Sequence, residues 1–504
     1  VATDRTALLS LLILALIPAL AFQGSRGLFE TSEGRYAEIA REMTESGNYL
    51  EPTLDHEPHW AKPPLTYWAI AAGTRMFGKN EWGARFYNVV AFVVTVLAVA
   101  ACGRELWDRE TGLVAGLVYL SAFAPAIGTF SVTTDTLLSM WETLAVLCYV
   151  KAYRRGRNSG ARGWTRTMWL AFGLAFLTKG PPALLPLVAL IIFHVHARRP
   201  FALADVAGIA VFVVTSLWWY LAVAFRHHGL TGYFLAKEVV ARMFSSDFGR
   251  NTRWYGAVVI YLPFLLVGPG LWLYDAIRLA KRSEVFKPAG LKRIFESRGE
   301  PSVFTFIWFT FPLIIFFLSR SRLQLYILPL FVPLALATAR TIILSYGTAS
   351  GVRRSVGVAV VSIVLIVAGK AAYSRIPSHA DMGRLYRTAR SAAGGDSRFA
   401  LYREKGLYGL EFYADGKIQR VSESPDENWA DVDLSSFVEE LLSDSQGGAR
   451  VVIASDAHAG RVRDALSGAG LPYEETRDAG WRIFVVNRVD SGKDGRYDEE
   501  KPIL

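Results

Sequence analysis

The chain has 504 residues, 52% of them hydrophobic and 13% aromatic, with a mean hydropathy of +0.25. Soluble proteins of this size rarely reach that level, so the composition excludes an ordinary water-soluble enzyme and points to several membrane spans. A net charge of +10 does not imply a nucleic-acid partner here, because excess Lys and Arg in polytopic proteins gathers in cytoplasmic loops.

The first apolar run, 7–22, is expected to be a retained span, since no small-x-small cleavage site precedes the charged stretch behind it. That stretch, LFETSEGRYAEIAREM (28–43), carries Glu30, Glu33, Arg35, Glu38, Arg41 and Glu42. Tyr36, Ile39, Ala40 and Met43 recur at helical spacing, Ser32 or Thr31 can cap the start and Gly47 the end. An amphipathic helix lying in the membrane interface is expected. The alternative is a connector with a solvated charged face, above all for Glu38, Arg41 and Glu42. Further on, Lys62 stands before Pro63 and Pro64 and among Trp60, Tyr67 and Trp68. It reads either as a snorkelling anchor or as a phosphate contact.

About eleven apolar segments follow the pattern of spans, near 6–22, 84–103, 111–129, 134–152, 165–179, 181–197, 203–224, 255–275, 303–319, 323–341 and 355–374. The 165–197 region reads as two short spans broken at Gly180-Pro181-Pro182, or as something less regular. Cys102 and Cys148 fall inside such runs and read as packing residues. Basic loops at 151–166, 196–200, 276–300 and 351–354 all fall on one side with this count, which makes that side cytoplasmic. The other face receives the loop 23–83, the turn 130–135, the break at 178–180, the loop 226–254 and the turn 319–322. Asp135, Lys179, Glu238, Arg242, Arg320 and Arg322 therefore converge on that outer face, a mixture suited to an anionic lipid head group with acid/base chemistry beside it. Capping of a helix start is the plain alternative for Asp135. His227-His228 can contribute to an ion site, with a solvated loop pair as the alternative. From about Arg375, strand-like RFALYRE, RVVIASD and WRIFVVNRV alternate with helix-like DLSSFVEELLSD and HAGRVRDALSGAG, as in a small soluble α/β domain ending in a disordered tail.

The ordered motifs ETSEGRYAEIAREM, GNYLEP, AKPPLTYW, TTDTLL, FLTKGPPALLPL, YFLAKEVVARMF, WYGAVVIYLPFLLVGPGLW and SRSRLQLYILPLFVPLALA resemble the bacterial aminoarabinose lipid A transferase family, related to protein O-mannosyltransferases. The resemblance covers about residues 1–375. It implies a GT-C fold, an α-helical polytopic membrane domain of about 11–13 spans over 1–375, followed by a soluble periplasmic α/β domain at 376–504. It implies an inverting transfer of a sugar from undecaprenyl (polyprenyl) phosphate to lipid A or another envelope glycan, at the periplasmic face of a bacterial inner membrane. Lys62, with Arg320, Arg322 and Lys179, would meet the lipid phosphate, and Glu33, Glu30 and Asp135 would be the catalytic carboxylates. Arg35, Tyr36, Ser32, Glu238, Arg242 and Tyr326 complete the expected substrate contacts. The expected protein is a monomer with membrane lipid and no nucleic acid as partners, and a divalent metal is the one cofactor left as an option.

Two departures from the family pattern stand out. Ser32 occupies the place of an Asp, so Glu33 or Glu30 would have to take its role, unless the acceptor is a phosphate that needs little base. Ala61 stands where the family has Glu before Lys-Pro. A transporter or flippase would predict inverted repeats and ionisable groups at mid-span, and no clear internal repeat is found. A degenerate, non-catalytic relative is the third reading.

Overall fold

The computed structural model describes residues 4–486, apart from 157–158, 199–202, 242–244, 246–249, 283–289, 291, 293–295, 298, 395–396, 425–426, 428 and 444–448. Arg242 and the expected disordered tail lie outside the described residues. The chain forms two compact units, residues 1–26 with 36–376, and residues 27–35 with 377–504.

The first unit is helical: α1 Asp4–Leu20, α2 Ser32–Ser46 (entering this unit at Tyr36), α3 Leu65–Phe77, α4 Glu81–Leu106, α5 Arg109–Ser121, α6 Phe123–Gly128, α7 Asp135–Arg155, α8 Ser159–Lys179, α9 Leu185–His196 and α10 Val206–Arg226. Then come α11 Leu230–Tyr233, which runs on into π-helical turns over Phe234–Ala241, α12 Gly256–Val267, α13 Leu273–Arg282, α14 Pro301–Leu318, α15 Phe331–Tyr346 and α16 Thr348–Tyr373. A short hairpin, β1 Thr53–Leu54 and β2 Glu57–Pro58, follows α2. Side-chain caps start several helices: Asn80 accepts from the Gly83 amide, Asp108 from Thr111 and Asp205 from Gly208. One continuous apolar core is shared by α1, α4, α5, α7–α9 and α14–α16. In lipid such helices associate through close packing, and Gly103 of α4 sits directly on Gly112 of α5, where an added methyl would stand 2.8 Å from the Gly112 Cα.

Helices occupy every stretch read as apolar, and they differ in length. Among the described residues five are long and apolar enough to cross a membrane: α4, α10, α14, Gln324–Tyr346 and α16. The others are short (17 residues in α1, 13 in α5, 12 in α9) or carry charge, as α7 does with Asp135 and Glu142. The expected span 255–275 is instead a pair, Gly256–Val267 and Gly270–Arg282, bent by 93° at Gly268-Pro269, where proline removes a backbone donor. Counted as one span, it makes six. Exposed Val213, Val214, Leu221 and Phe225 on α10, and Val360, Val361, Val364 and Leu365 on α16, form apolar surfaces of the kind lipid covers. The chain is thus a multi-pass α-helical membrane protein.

The second unit is a six-stranded mixed sheet in the order β5-β4-β3-β6-β8-β7, made of β3 Ser397–Tyr402, β4 Ile418–Ser422, β5 Val432–Asp433, β6 Ala449–Ser455, β7 Tyr473–Asp478 and β8 Trp481–Val486. Strands β3–β6 run parallel and β7–β8 antiparallel to their neighbours. Its helices are α17 Met382–Ala393, α18 Tyr408–Tyr413, α19 Leu434–Ser443 and α20 Ala459–Gly468. Alternation along β3 sends Phe399 and Leu401 into the layer with α17 and α18, and Ala400 and Tyr402 into the layer with α19 and α20. Residues 27–35 belong to this unit because they are tied to the start of α17. The Glu30 amide donates to Ala380 O (2.9 Å), the Met382 amide to Leu28 O (3.1 Å) and the Gly27 amide to Asp381 Oδ1 (3.1 Å).

Candidate active site

The first unit gathers two ion pairs around the break after α8. Asp135 begins α7 and Lys179 ends α8, each where the helix dipole favours its charge. Their side chains form a buried ion pair, Lys179 Nζ to Asp135 Oδ1. The ammonium also lies over the Tyr326 ring, 4.3 Å from its centroid. Glu142 is buried two turns along α7 from Asp135 and lies within electrostatic reach of both members of the pair. What halts α8 at Lys179 is Gly180 (φ 77°), whose amide donates to Phe176 O (2.7 Å) before Pro181 opens a new turn. Of the two sequence readings of this region, the break at Gly180-Pro181-Pro182 is the one observed.

The second pair is Lys62 Nζ with Glu238 Oε2 at 3.6 Å, both largely buried. Lys62 also donates to Ala61 O (2.7 Å). Glu238 rides on the π-helical turns after α11, a local irregularity common at functional sites. An aromatic wall of Trp60, Trp68, Trp218, Trp219, Tyr220 and Phe234 surrounds this pair's elements. Trp219 Nε1 donates to Leu50 O and Trp68 Nε1 to Tyr49 O, which seats the loop after α2. Tyr220 links the two pairs: its ring packs on Phe176, its hydroxyl reaches within 3.1 Å of a Cβ position at Gly180, and Glu238 is its electrostatic neighbour.

The remaining expected residues divide. Tyr326 joins the Asp135–Lys179 pair and accepts a hydrogen bond from Arg250 Nη1 (2.8 Å). Arg322 faces backbone instead: its Nη1 donates to Asn251 O and Arg253 O (2.9 Å each), which pins the strand of chain carrying Arg250. Arg320 is exposed and forms no ion pair among the described residues. Tyr36 packs on Tyr67 at 5.6 Å. In the second unit, Glu33 Oε2 accepts from the Phe29 amide (3.0 Å), and Glu30 accepts from the Gly409 amide. Ser32 and Arg35 are half-buried there. His227 meets Glu51 at 3.3 Å, and no group of three or more His, Cys, Asp or Glu side chains positioned for a metal occurs among the described residues.

The alternative reading of α2, a solvated charged face, does not hold for Glu38, Arg41 and Glu42. Glu38, Arg41 and Glu42 are buried, as Ile39 and Met43 are. Arg41 is bidentate to Glu38 (2.9 and 2.8 Å) and bonds Glu45, while Glu42 accepts the His56 amide from the hairpin that covers it. Burial raises the Glu38 carboxyl pKa above its ordinary value, against the opposing pull of Arg41. Arg250, Tyr220 and Glu142 were not singled out from sequence. Each sits in a helix or loop with no motif of its own, and only the packing of α7, α8, α10 and the 324–330 turn brings them together.

The geometry is therefore that of a helical membrane core with charged pairs beside a broken helix, plus an α/β unit. The crystal structure of ArnT from Cupriavidus metallidurans bound to undecaprenyl phosphate superposes with a TM-score of 0.75, at 18% identity over 97% of this chain and 99% of that one. The family model for dolichyl-phosphate-mannose-protein mannosyltransferase matches residues 61–220. The undecaprenyl phosphate-α-4-amino-4-deoxy-L-arabinose arabinosyl transferase 2 of Proteus mirabilis is 30% identical over 67% of this chain and 60% of its own length. The enzyme of that name from Pseudomonas fluorescens is 31% identical over 66% and 59%. The chain therefore spans about three fifths of the length of the curated relatives it matches. The chain thus matches these GT-C fold arabinosyl and mannosyl transferases at the family level.

Proposed function

We propose that the chain is an inverting glycosyltransferase that moves a sugar, aminoarabinose or a close relative, from undecaprenyl phosphate to a lipid A phosphate at the periplasmic face of a bacterial inner membrane. The observation that carries this reading is the buried Asp135–Lys179 pair bordered by Lys62–Glu238. In the transfer the bond from the sugar's anomeric carbon to the lipid phosphate oxygen breaks, and a bond to the acceptor oxygen forms on the opposite side. The departing phosphate gains charge, which Lys62 and Lys179 are suited to receive in a site shielded from water. Asp135 orients the sugar or acceptor, and little base is needed if the acceptor is an ionised phosphate. Glu33 and Glu30 are assigned as the further acids from the resemblance, with Arg35, Tyr36 and Ser32 beside them. The names of the sequence relatives and the lipid in the ArnT structure support the choice of donor.

The test is mass spectrometry of lipid A from cells with and without the protein, repeated with Asp135→Asn, Glu33→Gln and Glu30→Gln. A sugar-sized mass increment on lipid A that disappears with Asp135→Asn is expected. Unchanged lipid A with a glycan lost elsewhere would favour a protein or other envelope acceptor, a second reading supported by the description of the matching family model. Full transfer by all three variants would remove the site assignment.

A further inference from the structure

Asp135 is reached through a non-helical stretch, residues 129–134, and that stretch is gripped carbonyl by carbonyl. Thr129 O accepts from Gln23 Nε2 (3.1 Å), Phe130 O from Arg26 Nη2 (2.5 Å), Ser131 O from Asn88 Nδ2 (2.8 Å) and Thr133 O from the Tyr87 hydroxyl (2.6 Å). The Thr129 hydroxyl accepts from Lys370 Nζ (2.8 Å). All five donor side chains are buried. Arg26, Arg85 and Lys370 also surround the Phe130 ring, at 4.5, 5.3 and 5.1 Å from its centroid. Arg85 in turn donates to Gln23 O (2.6 Å) and Arg26 O (3.0 Å), so it fastens the segment that supplies two of the grips.

Loop carbonyls at a membrane surface are ordinarily satisfied by water, which leaves their peptide planes free to tilt. Buried, directional donors from α4 and the 23–26 segment fix those planes instead, while Lys370 of α16 holds the Thr129 side chain. α7 begins directly after this stretch, where the Leu138 amide closes the first helical turn onto Thr134 O (2.9 Å), one residue beyond the carbonyl that Tyr87 holds. We propose that Tyr87 and Asn88, neighbours on α4, are positioning residues that hold the Asp135 carboxylate in register with Lys179. The inference rests on the assignment of Asp135 to the reacting centre. Neither residue touches the ion pair; they act through two peptide planes. A misplacement of about 1 Å at a reacting group costs on the order of 100-fold in rate.

The test uses the full-length protein in lipid nanodiscs, with synthetic aminoarabinosyl undecaprenyl phosphate and lipid A as probes. Tyr87→Phe and Asn88→Ala are expected to lower kcat by about 10- to 100-fold with KM changed less than about twofold. Asn88→Gln, which keeps an amide donor, is expected to recover part of the loss. Asn80→Ala removes the cap of the same helix without touching the loop, so it controls for general weakening of α4 and should leave kcat unchanged. Hydrogen exchange at amides 130–138 reads the grip without turnover, and should quicken in Tyr87→Phe and Asn88→Ala but not in Asn80→Ala. Unchanged exchange, or a loss of kcat matched by Asn80→Ala, overturns the positioning role while leaving Asp135 in place. Full activity in Asp135→Asn instead removes the reading on which the role rests.

Discussion

Lys179 and Asp135 hold each other's charge away from water, and that sets what each substitution does. Removing the lysine alone leaves a buried carboxylate without its cation, a change that typically costs about 3–5 kcal/mol, whereas removing both charges is far less damaging. Lys179→Met is therefore expected to lower the unfolding temperature in detergent clearly, and Lys179→Met combined with Asp135→Asn to restore most of the loss. A double variant no more stable than Lys179→Met would show that the pair contributes little. As single residues both were legible in the sequence, because an ionisable group at the end of an apolar run is costly unless it has a task. Their pairing was not legible, since 44 positions separate them and two helices must pack before they meet. Arg322 teaches the reverse. It reads as a phosphate contact from composition, yet its guanidinium donates to the Asn251 and Arg253 carbonyls, a use that charge alone does not reveal.

At the scale of elements, the end of α8 depends on one backbone conformation. Gly180 combines φ 77° with ψ −145°, a region nearly closed to other residues, and an added methyl would stand 3.1 Å from the Tyr220 hydroxyl. Gly180→Ala is expected to cost about 1–3 kcal/mol and to reduce transfer, since Lys179 shifts with it. Gly163→Ala, in open space within the same helix, should instead stabilise by about 0.4–1 kcal/mol, and thermal unfolding of the two variants checks both signs. Helix α2 makes a pH prediction. A carboxyl whose pKa is raised in the folded state binds more protons folded than unfolded, so stability falls as pH rises from the ordinary value of 4.5 through the raised one. Glu38→Gln, which cannot ionise, should flatten that part of the pH–stability curve; an unaltered curve would assign the dependence to other groups. The helical period of α2 was readable, but its burial on the charged side was not. The hairpin that covers Glu42 and the Arg41 fork that neutralises Glu38 come from contacts that no periodicity encodes.

For the whole molecule, the distribution of basic loops makes a topological prediction that labelling can check. Cys102 and Cys148 are buried, so background reaction with a membrane-impermeant thiol reagent should be low. In intact spheroplasts a cysteine placed at exposed Arg320 is expected to react, and one placed at exposed Arg155 only after the membrane is opened. The opposite pattern would invert the orientation and overturn the proposal of a periplasmic site. The sequence by itself determined that the chain is a polytopic helical membrane protein with a C-terminal α/β unit, because hydropathy and strand–helix alternation are local properties. The ordered motifs also sufficed to indicate the family. Only the tertiary structure decided how many helices are long enough to span, that 255–275 is bent, and that residues 27–35 pack with the second unit. It alone joined Asp135 to Lys179, Lys62 to Glu238, and Tyr87 and Asn88 to the loop before α7. The physical reason is common to all of these. A charge or a carbonyl buried away from water must find a specific partner, and that partner is chosen by which helices pack, not by its distance along the chain.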